Sequence, residues 1–276
     1  MLNWIRERLL RRGPVVPVVS LTGVIVAGAR LGVRGLAIEG VATTLRRAFN
    51  TKGARAVALA INSPGGSPVQ SALIGARIRL HAREKNIPVI AFVEDVAASG
   101  GYWLACAADE IVADANSIVG SIGVISAGFG FQDLIARIGV ERRMHTSGER
   151  KSMLDPFQPE RPEDVERLKR IQGEIHDDFK RWVHERRGPK LMGTDGELFS
   201  GEFWTGKRAL ELGLVDGLGN LRETLQARYG EKVRLPLITP RRGLLSRVGI
   251  GSRFEDIGPS TLAAVEERMH WQRYGL

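Results

Sequence analysis

Two runs, residues 56–61 (AVALAI) and 88–93 (PVIAFV), are apolar at almost every position, and each leads through a glycine-containing turn into a helical pattern. A strand that is apolar on both faces must be covered on both. Parallel strands lying between helices meet that demand, and a half-exposed antiparallel hairpin does not. The same order recurs along the chain. Residues 14–27 read as one or two strands and 36–50 as a helix; 67–85 is a second helix with Leu73, Ile74, Ile78 and His81 near one face, and 99–108 is a short apolar helix. Further strands are expected at 110–114, 118–125 and 141–146, with a helix near 131–138. Strand then helix, repeated, predicts an α/β fold with a largely parallel sheet covered by helices.

Residues 162–187 read as one long amphipathic helix, opening on Pro162-Glu163-Asp164 and spacing its apolar positions by three and four. A short helix at 205–213 ends at a glycine, and 214–220 is a turn-rich strand end. Beyond Pro236 the pattern thins into a Pro, Gly and Arg linker, followed by a terminal helix over 260–273. The expected division is a basic leader at 1–13, a globular domain at 14–235, and a basic linker with its helix at 236–276.

Charge separates the ends from the middle. Residues 1–12 hold four arginines against one glutamate and residues 228–253 hold seven Arg or Lys against one glutamate, so these two segments carry the whole formal excess of +9. Such ends suit an anionic membrane surface or a solvated basic rim. In the leader, Leu2, Ile5 and Leu9 share one helical face, which fits a membrane-surface helix, a frayed end or a subunit contact rather than a secretory signal. No spanning segment is expected, because residues 15–38 are broken by Pro17, Arg30 and Arg34. Cys106, the one cysteine, sits in an apolar run and reads as a small buried residue. No metal-ligand spacing and no basic, aromatic-interleaved surface is present, which argues against a metal centre and a nucleic-acid partner.

The residues that carry chemistry are the two turns. Asn62-Ser63-Pro64-Gly65-Gly66-Ser67 follows the first apolar run, and Ala97-Ala98-Ser99-Gly100-Gly101-Tyr102 follows the second. In a parallel sheet such turns collect at the carboxyl edge, where ligands bind. A serine there opens a helix with its hydroxyl in the crevice, while glycines leave backbone N–H groups accessible to a developing oxyanion. The competing interpretation is a structural turn with a capping serine.

Together and in this order the turns resemble the ClpP/crotonase superfamily, and within it the S49 peptidase family of the signal-peptide peptidase A type. The likeness extends to Gly120-Ser121-Ile122-Gly123-Val124, Ser147-Gly148-Glu149-Arg150-Lys151 and Leu212-Gly213-Leu214-Val215-Asp216. It implies repeated ββα units around the sheet, Ser99 as nucleophile, Lys151 as general base, Ser121 as the hydroxyl holding the lysine amine, and the N–H groups of Gly66 and Gly100 as the oxyanion hole. It also implies an ATP-independent peptidase without cofactor or metal. Its substrates would be apolar or unfolded peptides, cleaved signal peptides among them. A homo-oligomer is implied as well, in which an adjacent subunit can supply the lysine.

The chemistry limits the choice of base independently. None of the histidines at 81, 145, 176, 184 and 270 follows Ser99 closely, which disfavours a Ser-His-Asp triad. A lysine serves only when uncharged, and an ordinary one is uncharged in about one molecule in two thousand at pH 7, so burial must favour the neutral amine. Two rivals stay open: a crotonase-type enzyme acting on an acyl-CoA thioester, and an inactive membrane-associated scaffold of the same fold. The expected location is cytoplasmic, at most peripheral to the membrane.

Overall fold

The structure, a computed structural model, describes residues 13–28, 35–148, 150–239 and 268–275. The leader at 1–12 and the first part of the expected terminal helix lie outside the described residues, and 268–272 are helical. The chain divides into two units, Met1–Ile122 with Lys180–Leu276, and Gly123–Phe179.

In the first unit, strands and helices alternate: β1 (Val18–Thr22), α1 (Ile38–Phe49), β2 (Val57–Ser63), α2 (Pro68–Lys85), β3 (Val89–Ala98), α3 (Gly100–Ala105) and β4 (Glu110–Ala113). The seven-stranded sheet runs β1-β2-β3-β4-β7, where β7 is Gly217–Leu218. All neighbours along that path are parallel. On a branch, β5 (Ile118–Gly120) pairs in parallel with the end of β3 and antiparallel with β6 (Phe203–Thr205).

Alternation along each strand explains why the apolar runs are continuous. Val18, Ala58, Ala60, Ile90, Phe92 and Val112 share one face with Leu225 of α8 (Leu221–Tyr229). Leu59, Ile61, Ala91 and Ile111, which point the other way, are fully buried on the side of α1 to α3, a row in which each helix packs on the next. In α2 the expected face is partly wrong. Ser71, Ile74, Gly75, Ile78 and Ala82 are buried, whereas Leu73 is 46% exposed.

Local chemistry sets the helix ends. Pro68 begins α2 behind Ser67, whose hydroxyl accepts from Gln70 N–H, and Asn86 closes it in a left-handed conformation. Ala37 offers α1 no cap, and Gln70 Oε1 accepts from Ile38 N–H at 2.9 Å instead. Thr194, Thr205 and Asn220 cap α6 (Asp195–Leu198), α7 (Gly206–Glu211) and α8. Strand β5 is much shorter than expected because Gly120 (φ 113°) and the left-handed Ser121 (φ 51°) turn the chain out of the sheet. Sequence reading also missed β6. The outer edge of β1 is bonded by the chain near Leu237, through Val18 N–H to Pro236 O and Ile238 N–H to Val18 O.

The second unit contains α4 (Gln132–Arg137) and most of α5 (Pro162–Arg187), whose last turns belong to the first unit. Phe131 packs on Phe157 with ring centroids 5.6 Å apart, and Arg142 bonds Asp155 at 3.2 Å. The strand expected at 141–146 does not form. That stretch is charged and exposed, and Arg143 pairs with Glu141 at 2.8 Å rather than across a sheet.

The Leu212-to-Asp216 segment is a structural node. Arg187, 3% exposed in its side chain, bonds Gly213 O and Asp216 Oδ2; Lys190 takes Asp216 Oδ1, Ile111 N–H donates to the same carboxylate, and Tyr102 Oη donates to Leu214 O. Burial alone would push the Asp216 carboxyl up, but the hydrogen bonds from Arg187, Lys190 and Ile111 outweigh it and hold the group below its ordinary value. A depressed carboxyl contributes stability above its unfolded pKa, about 3.9 for Asp, and loses it as pH falls through the folded value. Asp216→Asn is therefore expected to lower stability at pH 7 by about 3 kcal/mol, the low end for a broken buried pair because this carboxylate is partly exposed. It should also flatten the loss of stability below about pH 4. Urea unfolding at pH 7 and pH 3 checks both, and equal midpoints for variant and wild type at pH 7 would refute the node's importance.

Candidate active site

Strand β3 ends at Ala98, and Ser99 stands at the N-cap of α3 with φ 52° and ψ −121°. For a non-glycine residue that conformation costs on the order of 1–3 kcal/mol. Two hydrogen bonds hold it: Ser99 N–H donates to Gly120 O at 2.8 Å, and Ser99 O accepts from Trp103 N–H at 3.0 Å. A capping serine turns its hydroxyl onto the first helical turn, as Ser67 does toward Gln70 at 3.4 Å. Ser99 does not, and among the described residues its Oγ has no hydrogen-bond partner.

The first turn closes against the second. Ser63 Oγ donates to Gly23 O at 2.7 Å and accepts from Gly65 N–H at 3.2 Å. Gly65 has φ 97°, and a methyl group there would lie 2.7 Å from Gly100 N and 2.8 Å from both Ser99 Cβ and Ala98 O. The two turns thus touch through backbone, which leaves no room for a side chain. Gly66 (φ 138°) is gripped from β1's side of the sheet, where Ile25 N–H donates to Gly65 O at 2.7 Å and Ser67 N–H donates to Ile25 O at 2.8 Å. Among the described residues the N–H groups of Gly66 and Gly100 are unpartnered.

Ser121 belongs to the same unit, one residue beyond the carbonyl that holds Ser99. It is buried, its N–H donates to Glu202 O at 2.7 Å, and its Oγ accepts from Tyr274 Oη at 3.3 Å. Lys151 belongs to the other unit, Gly123–Phe179. There it is exposed in a turn, with its N–H donating to Gly148 O at 3.2 Å. The structure therefore places Ser99, Gly66, Gly100 and Ser121 in one unit and Lys151 in the second.

Nearby electrostatics separate active from inert candidates. Burial, helped by the charge of Asp95, raises the Glu94 carboxyl. The fully buried Cys106 thiol is pushed up to about 12 by burial, which keeps it protonated and unreactive. Among the described residues no group of His, Cys, Asp or Glu could hold a metal ion.

A bulge in β3 escaped sequence reading. Between the pairs Ile61↔Val93 and Ser63↔Ala97, β3 has three residues where β2 has one. The acidic pair Glu94-Asp95 inside the otherwise apolar stretch from Val89 to Ala98 is the signal that marks it.

Residues 81–233 match the family model described as peptidase family S49. The chain is 53% identical over 272 residues to a protein of Brucella abortus named Na(+)/H(+) antiporter NhaA, covering 95% of this chain and 37% of that one. It is 31% identical over 231 residues to a putative protease of Synechocystis, covering 80% and 82% respectively. To the chloroplastic serine protease SPPA of Arabidopsis thaliana it is 34% identical over 194 residues, covering 70% and 28%. The chain thus spans little more than a third of the Brucella relative's length.

Because backbone atoms surround the Gly65 position, Gly65→Ala cannot be accommodated by a rotamer change. It is expected to destabilise the protein by at least about 2 kcal/mol. Chemical unfolding measures this, and an unchanged midpoint would show that the turns do not make the contact described.

Proposed function

Since this chain belongs to peptidase family S49, we propose that it is a serine peptidase in which Ser99 attacks the peptide carbonyl and Lys151 takes the serine proton. The observation that carries the reading is Ser99 itself: a strained serine whose hydroxyl caps nothing, at the contact of two glycine turns whose Gly66 and Gly100 N–H groups are unpartnered among the described residues. The neutral Lys151 amine would accept the Ser99 proton as Oγ bonds to the carbonyl carbon. The negative oxygen that forms would receive hydrogen bonds from Gly66 and Gly100. Collapse of the tetrahedral species breaks the C–N bond, and the lysine ammonium returns the proton to the leaving amine. Water then attacks the acyl carbon as it gives a proton to the Lys151 amine, and the acid leaves as Ser99 Oγ takes that proton back. Ser121 would hold the amine in place between these transfers.

Lys151 is exposed in the single chain, so the dry setting such a base needs would come from assembly. The second unit leaves Ile125, Phe129, Leu134, Ile138 and Val140 more than half exposed, surface of the kind that copies of a chain bury between them. We therefore favour a homo-oligomer in which an adjacent subunit can supply the lysine. Apolar or unfolded peptides, cleaved signal peptides among them, are the substrates proposed. Among the described residues no helix is long and apolar enough to cross a membrane.

With an apolar peptide ester as substrate, Ser99→Ala and Lys151→Ala should each lower kcat at least about a thousandfold; equal rates in all three proteins would reject the mechanism. Mixing the two inactive variants under exchanging conditions should restore part of the activity if the pair forms between subunits. No recovery from a mixture shown to contain hybrid oligomers would place the pair within one chain.

A further inference from the structure

We propose that Asn62 and Ser117 are positioning residues that clamp the β3 bulge from its two sides and so set the register at which Ser99 meets the Gly65-Gly66 turn. The inference rests on Ser99 being the nucleophile.

Without the bulge, Ser63 would lie opposite Asp95 instead of Ala97. Ser99 would then stand two residues, about 6.6 Å, further along the strand direction. Oxyanion donors act at roughly 3 Å from the reacting oxygen, so a slip of that size separates the serine from Gly66. The extra residues must therefore be held, yet a bulge this wide takes main-chain groups out of the ladder and leaves them in need of partners.

The partners come from two side chains. On the β2 side, Asn62 stands opposite Glu94, Asp95 and Val96; its Nδ2 donates to Asp95 Oδ2 at 2.5 Å and its Oδ1 accepts from Val96 N–H at 3.3 Å. On the other side, β3 changes neighbours, from β4 at Val93↔Ala113 to β5 at Val96↔Ile118. Ser117, 2% exposed, fills that gap. Its Oγ lies 3.2 Å from Val93 O and 2.5 Å from Glu94 O, toward which it directs its proton, and it accepts from Asp114 N–H at 3.0 Å. Carbonyls and an amide of the bulge are thus satisfied from both edges. Asn62 lies on β2, which leads into the glycine turn, and Ser117 immediately precedes β5, which supplies Gly120 O to Ser99.

Labelling of the full chain by an alkyl fluorophosphonate separates reactivity from folding, because kinact and KI are read per folded molecule alongside a melting curve. Asn62→Asp keeps the acceptor for Val96 but sets a carboxylate against Asp95. It should lower kinact about tenfold or more while KI stays within about twofold. Asp95→Asn alone keeps an acceptor for Asn62 and should stay within about threefold of wild type, and the double exchange N62D/D95N should return to the same range, because the amide at 95 then donates to the carboxylate at 62. Ser117→Ala should lower kinact in the same sense. If Asn62→Asp does not fold, Ser117→Ala decides by the same criterion. Unchanged kinact in the folded variants would overturn the proposal, as would a double exchange that restores the melting temperature without kinact. Failure of the probe to label wild type at Ser99 is a different result, which removes the nucleophile assignment itself.

Discussion

The site depends on how closely two pieces of main chain approach. Gly65 lies against Ser99 and Gly100 with no space for a methyl group between them, and that approach brings the two glycine turns together beside Ser99. Much of the first unit can be understood as what makes the contact possible. Adjacent parallel strands β2 and β3 deliver both turns to one edge of the sheet. Ile25 holds the first turn from one side, and Gly120 holds Ser99 from the other. Both faces of the sheet are then closed by helices, which keeps the strands short, apolar and fixed. Strain in Ser99 persists because these neighbours leave it no relaxed alternative.

The strand and helix pattern was legible because burial on both faces leaves a continuous apolar signature, and α5 was read with its ends as they stand. Serine, glycine and lysine motifs pointed to the family through their order. What escaped was set by pairing rather than by local composition. Residues 203–205 form a strand only because β5 lies beside them. Residues 141–146 are charged and exposed, with no apolar face for a sheet to bury. Leu73 was placed on the wrong face because α2 carries apolar residues all round, so periodicity alone did not select the buried side. The second unit, and with it the setting of Lys151, has few buried side chains of its own to leave a pattern in the sequence.

One motif of the family likeness has a structural role. The Leu212-to-Asp216 segment ties the end of α5 and the start of β4 together through the Asp216 carboxylate, and takes the Tyr102 hydroxyl on Leu214 O. Tyr102 is also the residue by which α3, the helix that Ser99 opens, is anchored in the core. This motif therefore has a structural role, because it fixes the helix that Ser99 opens. Cys106, one turn further along and inert through burial, is part of the same packing.

The β3 bulge also carries a rule about sequence length. It adds two residues, an even number, so the side chains before and after it keep their inward and outward assignments on the sheet. A single inserted or deleted residue at 94–96 would turn the following residues over, bringing Ala97 and Ser99 to the wrong face. Losing two would preserve facing but displace the serine. Related chains that vary here are thus free to diverge in the identity of the bulged residues far more readily than in their number.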